Sequence, residues 1–134
     1  MAGITDLNEL IRSMQPLLQE GTYVFCTVQD ISAIDAGDII GLFKEREGIT
    51  VILPQQKADA LLLHYDYIAA WITLEVHSSL SAVGLTAAFA TALAEAGISC
   101  NVVAGFYHDH LFVAKEDAAA AVATLKRLAA SGNA

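Results

Sequence analysis

From residue 69 to the C-terminus the hydrophobic period changes in a fixed order, and that order limits the folds open to the chain. Residues 69–76 (Ala-Ala-Trp-Ile-Thr-Leu-Glu-Val) are β-branched and apolar enough for a strand. Leu85, Phe89, Ala92, Leu93 and Ala96 then recur at helical spacing, and Gly97 follows where a helix closes on a glycine with positive φ. Residues 100–106 and 110–115 are two more strands around a tight turn. Asp117 opens a last helix, with Val122, Leu125 and Leu128 facing inward. Strand–helix–strand–strand–helix places helices on one face of an antiparallel sheet. The expected fold class is therefore α/β, of the α+β ferredoxin-like type.

The first half repeats this order in degraded form. Leu7, Leu10, Ile11, Met14, Leu17 and Leu18 make a helical stripe, capped by Thr5 or Asp6 and ended or bent by Pro16. Residues 23–28 are a strand, and residues 29–37 a polar loop with Asp30, Asp35 and Asp38 nearby. Residues 39–45 and 49–53 form a hairpin around Arg46-Glu47-Gly48; Pro54 stops it, and residues 58–63 read as a short helix. Residues 49–53 running into Lys57-Ala58-Asp59 parallel residues 111–115 running into Asp117-Ala118-Ala119. This is a diverged internal duplication in which the loop replaces one helix. The implied domains are 1–66, an N-terminal helix plus a degenerate unit, and 67–134.

Composition narrows the function classes. Apolar residues are 55% of the 134, but aromatics only 7%, so the core depends on close approach of helix and sheet. The net charge is −8 and the seven bases are scattered, which excludes a phosphate-tracking stripe and hence nucleic acid as a partner. Residues 76–94 lack acids and bases, yet they hold His77, three serines, Gly84 and two threonines and read as strand end, loop and helix; no membrane span is expected. The start lacks a secretory signal, so a cytoplasmic protein is expected, with Cys26 and Cys100 as buried thiols. No phosphate loop, GxSxG, HExxH or oriented Cys–His pair occurs, so no enzyme and no cofactor is expected.

Two constellations carry chemistry. Ser78, Ser79 and Ser81 lead through Val83 and Gly84 into a helix start at Leu85, where free N–H groups and the positive helix end suit a carboxylate. Helix capping by Ser81 accounts for one of those serines without any ligand. His108-Asp109-His110, with His77 as a further member, has the donor set of a metal site, but a tight turn centred on Asp109 accounts for it without one, and no metal is expected. Asp30, Asp35 and Asp38 are read as solvated loop acids, and Trp71 and Phe106 as core. The helix of residues 85–96 bears one charge, Glu95, and is otherwise Ala, Thr, Leu and Phe. Such a helix needs cover beyond its sheet face, from the N-terminal helix or from a second subunit, and a homodimer is expected.

Val83-Gly84-Leu85-Thr86-Ala87-Ala88-Phe89 and Leu93-Ala94-Glu95-Ala96-Gly97-Ile98-Ser99 resemble the glycine-to-"AGI" helix of ACT domains, amino-acid-sensing modules attached to enzymes such as aspartokinase. Residues 45–54 and 107–113 are similar to a bacterial group of stand-alone ACT-domain proteins. The resemblance implies two ACT-like units in tandem, an amino acid ligand at a seam, and an unidentified target enzyme. It maps the ligand site onto residues 78–85 and onto Ser99, Cys100, Asn101 and Val102. The aspartokinase-type pattern has asparagine directly after "AGI"; here serine stands there and Asn101 comes two later, on the same strand face. The expected function is a non-catalytic amino acid sensor. The alternatives are a ligand-free assembly module and a metal-dependent enzyme built on the histidine hairpin.

Overall fold

The computed structural model describes residues 6–76 and 83–132. Along the described chain run α1 (Leu7–Ser13), β1 (Gln15–Leu18), β2 (Tyr23–Val28), β3 (Gly41–Lys44), β4 (Ile49–Pro54), α2 (Gln55–Ala60), β5 (Ile68–Glu75), α3 (Leu85–Glu95), β6 (Asn101–Ala104), β7 (Asp109–Ala114) and α4 (Ala118–Ser131). The architecture is the expected mixed α/β, ferredoxin-like one. Two compact units form: residues 1–20 with 70–134, and residues 21–69. Their partition is not the sequence boundary at 66 and 67, because the first twenty residues join the C-terminal unit.

The reason lies in β1. Pro16 biases residue 15 away from helical geometry, so α1 stops at Ser13 and Met14 is already extended (φ −65°, ψ 128°). The chain then pairs antiparallel with β5, Gln15 opposite Glu75 and Leu18 opposite Ile72. Among the described residues β1 pairs with β5, and a strand flank is where proline, lacking an N–H, is tolerated. Leu17 and Leu18, expected on the helix stripe, instead lie in this strand and are 46% and 44% exposed. The strand order in this unit is β1-β5-β7-β6, so the fourth strand comes from the N-terminus. Ala70, Ile72 and Leu74 of β5 and Leu111 and Val113 of β7 meet Leu10 and Ile11 of α1, Phe89 and Leu93 of α3, and Leu125 of α4 in one core. All three helices thus cover one sheet face.

In the unit of residues 21–69, β4 pairs with β2 (Tyr23 opposite Pro54 to Val28 opposite Ile49) and with β3. The start of β5 adds two pairs, Tyr23 with Ala69 and Val24 with Ile68. Val24, Cys26, Val51 and Leu53 face Ala58 of α2 and Ile34 from the loop that stands where the other unit has α3. That loop is built from local turns. Asp30 accepts from the N–H (2.9 Å) and hydroxyl (3.0 Å) of Ser32, and Asp35 from the N–H of Gly37 (3.1 Å). The short helix starts three residues earlier than its leucines suggest: Leu61–Leu63 form a turn, with Leu62 at φ +58° and 92% exposed.

Candidate functional site: the α3 N-terminus and the histidine hairpin

Ser78, Ser79, Ser81 and His77 lie outside the described residues. After them, Val83 is 85% exposed, Gly84 is the N-cap of α3 at φ +95°, and Leu85 is buried in the core. Glycine is required here twice over. Its φ is left-handed, and a Cβ would stand 3.2 Å from Leu7 Cδ2 of α1. The space beside Gly84 is thus filled by Leu7. No side chain caps α3 among the described residues, and a helix N-terminus presents first-turn N–H groups and a positive end that suit an acceptor.

The second segment assigned by the resemblance follows α3. Ser99 and Asn101 are exposed, while Cys100 and Val102 pack against the core. Burial pushes the Cys100 thiol up to about 11, and it raises Cys26 as well, so both behave as small hydrophobes. Asn101 Nδ2 donates to the Phe112 carbonyl at 3.4 Å. Within one copy, Gly84 and Ser99 sit at opposite ends of an eleven-residue helix, about 16 Å apart at 1.5 Å per residue. The fold does not bring Gly84 and Ser99 together in this unit.

The histidine hairpin differs from its sequence expectation. Its turn is centred on Phe106 and Tyr107, closed by Gly105 N–H donating to the His108 carbonyl at 2.9 Å, and Asp109 already lies in β7 opposite Ala104. Phe106, expected in the core, is 80% exposed at the tip, edge-on to Tyr107 with ring centroids 5.0 Å apart. Strand alternation sends Asp109 and His110 to opposite faces. His110 Nδ1 receives the Trp71 indole N–H (3.1 Å) and lies 3.2 Å from Thr73 Oγ1, which itself accepts from Gln19 Nε2 at 3.1 Å. An indole only donates, so Nδ1 carries the lone pair and the proton sits on Nε2. Burial first, then the neighbouring His108, lowers the His110 pKa against the opposing pull of Asp109. Burial raises that of Asp109, with His110 and His108 opposing. His108 Nδ1 is buried with no hydrogen-bond partner among the described residues.

The arrangement fixes a neutral imidazole on the helix-free face of the sheet. Among the described residues no group of three His, Cys, Asp or Glu side chains is placed to hold a metal. Trp71 and Thr73 as partners of His110, and Gln19 behind Thr73, were not foreseen from the sequence. The available signal was period-two spacing of Trp71 with Thr73 and of His110 with Phe112, which puts each pair on one face. A groove of about 490 Å³ lies between α3 and α4, floored by Ala88, Ala92 and Thr124, away from the α3 N-terminus. Part of the cover that α3 needs comes from its own chain, since α1 and α4 both contact it.

Two family models, each describing an ACT domain, match residues 2–70 and 67–127. No curated protein matches the chain. A solved structure from Vibrio cholerae, of a protein of unknown function described as a possible transport protein, is 49% identical with a TM-score of 0.83, covering 96% of this chain and 99% of that one. The aspartate kinase of Clostridium acetobutylicum, described as an allosteric enzyme, shares the fold at 10% identity and TM-score 0.62, over 88% of this chain and 34% of that one. The ligand-free regulatory subunit of aspartate kinase from Thermus thermophilus does so at 11% identity and TM-score 0.57, over 84% and 95%. Among the described residues no helix is long and apolar enough to cross a membrane.

Proposed function

The chain belongs to the ACT-domain family, with two such domains in tandem, and on that premise we propose that it is a non-catalytic cytoplasmic regulator that binds a free amino acid. The observation that carries this reading is the N-terminus of α3, which has a left-handed glycine cap and no capping side chain among the described residues. The carboxylate of the ligand takes the first-turn N–H groups, with Ser78, Ser79 and Ser81 as further donors. Its other end is met by the exposed Ser99 and Asn101 of a second copy, because the two segments stand at opposite ends of α3. The working form is therefore a homodimer. The domains divide in sequence at residues 66 and 67, while residues 1–20 complete the second one in space. The ligand regulates an unidentified target enzyme only by binding one arrangement of the copies more tightly than another.

Thermal unfolding against single amino acids, related carboxylates and divalent metals tests this. A ligand at a hundred times its dissociation constant adds about 2.7 kcal/mol. The expected result is a raised midpoint with one or a few amino acids, abolished in Asn101→Ala and accompanied by dimer in sedimentation. A midpoint that moves with no amino acid overturns the sensor and leaves a ligand-free assembly module. That second reading is favoured by one observation, the filling of the space beside Gly84 by Leu7.

A further inference from the structure

The unit of residues 21–69 contains an opening that the sensor reading does not use. The antiparallel ladder between β2 and β5 ends after Val24 opposite Ile68. Continued by register, it would set the residues before Ile68 against Phe25 and Thr27. Instead a cavity of about 470 Å³ stands there, with Phe25, Cys26 and Thr27 on one side and His64, Tyr65 and Asp66 on the other. Moorings to α2 hold it open: the Tyr65 hydroxyl donates to Asp59 at 2.7 Å and accepts from Gln55 Nε2 at 2.9 Å. The volume falls within the range of small-molecule sites.

The lining selects the chemistry. Glu45 reaches in and accepts from the Thr50 hydroxyl. Asp66 stands exposed at the rim on the other side, with one oxygen 3.0 Å from His64 Nε2. Each carboxylate keeps acceptor capacity beyond that one bond. The hydroxyls of Thr27 and Thr50 accept as well, and the Phe25 ring adds a π surface. No lysine or arginine lines the cavity, and its one imidazole, His64, stands against Asp66, so an anion meets two carboxylates with no side chain free to offset them. We infer that this cavity binds a small organic cation, an amine or guanidine, separate from any amino acid at α3. The ammonium or guanidinium group lies between Glu45 and Asp66, donating to both, with its carbon stem along Phe25. The inference stands on this unit alone and is independent of the sensor reading.

The test is an amide NMR titration of the full chain with 1,4-diaminobutane, with agmatine as the guanidinium probe and 1,4-butanediol as the uncharged control of equal length. The expected result is saturable shifts confined to Thr27, Thr50 and residues 64–66 with both cations and none with the diol. Glu45→Gln with Asp66→Asn should weaken binding about tenfold or more, a loss of about 1.4 kcal/mol. Both side chains are exposed, so the double variant should keep its unfolding midpoint. Shifts spread over acidic residues across the surface, equal shifts with the diol, undiminished binding in the double variant, or the same pattern with magnesium alone would each overturn the assignment.

Discussion

In the unit of residues 1–20 and 70–134, three helices back the sheet and the core extends from Leu10 to Leu128. In the unit of residues 21–69, one six-residue helix and a loop cover the corresponding face, and the buried cluster beneath them shrinks to Val24, Cys26, Ile34, Val51, Leu53 and Ala58. The two ACT domains share a strand–hairpin frame, while the helical cover differs. A sheet of this size survives loss of a helix when a loop satisfies its own polar groups by turns and offers one apolar plug. Asp30 and Asp35 do the first and Ile34 the second. The thin cover also leaves room for an opening beside β2.

The comparison is broken most severely by removing the plug of the thicker unit. Phe89→Ala, at a fully buried ring, should cost about 3–5 kcal/mol, and Ile34→Ala in the thinner unit about 2 kcal/mol. Trp71, the single tryptophan, lies at β5, so its fluorescence in denaturant reports the Phe89 loss directly. Equal losses would mean that the loop is as deeply packed as the helix. Next comes Gly105→Ala. Its Cβ would stand 2.9 Å from the His108 carbonyl oxygen and 3.0 Å from His110 Nε2, an overpacking cost of about 1–3 kcal/mol read as a lower midpoint with a displaced Trp71 emission.

A smaller contrast separates two glycines at the ends of α3. Gly84→Ala and Gly97→Ala both force alanine into a left-handed φ, at about 1–2 kcal/mol. Only the first also presses on Leu7, whereas nothing lies within 4 Å of the second. Gly84→Ala should therefore be the more damaging in thermal unfolding, and the reverse order would remove Leu7 from the account. The mildest effect is on pH. His110 binds its proton less readily in the folded chain than at its ordinary value of 6.5. Stability is thus full above pH 6.5 and declines as pH falls below it, because the unfolded chain takes up the proton first. Asp109, raised above its ordinary 3.8, acts in the opposite sense, losing stability as pH rises from there. Unfolding midpoints across the acid side of 6.5 should slope in the native chain and flatten in His110→Gln.

Much of the frame was legible because short-range chemistry determines it. The β-branched run at residues 23–28 is β2 to the residue, and Arg46-Glu47-Gly48 turns the hairpin as its composition requires. β1 was not legible. Leu17 and Leu18 extend a helical stripe by spacing, and what makes them a strand is pairing with β5, far along the chain. Asp109 suits a turn by type, yet the turn falls two residues earlier, where Gly105 allows close approach of the His108 carbonyl. At the site, alternation predicts the face of Trp71 and of His110, but not that β5 and β7 are neighbours, and their bond depends on that.

The origin of β1 also bears on how the chain is made. One unit is threaded through the other in sequence: its first pieces, α1 and β1, precede residues 21–69, and everything else follows them. During synthesis from the N-terminus, the smaller unit is complete while the larger still lacks α3, β7 and α4. The pairing of Gln15 with Glu75 spans the whole inserted segment, a nonlocal contact of the kind that slows folding. The thinly covered unit, built from nearby contacts, is placed to fold first on the ribosome, and the thickly covered one closes around its own distant ends afterwards.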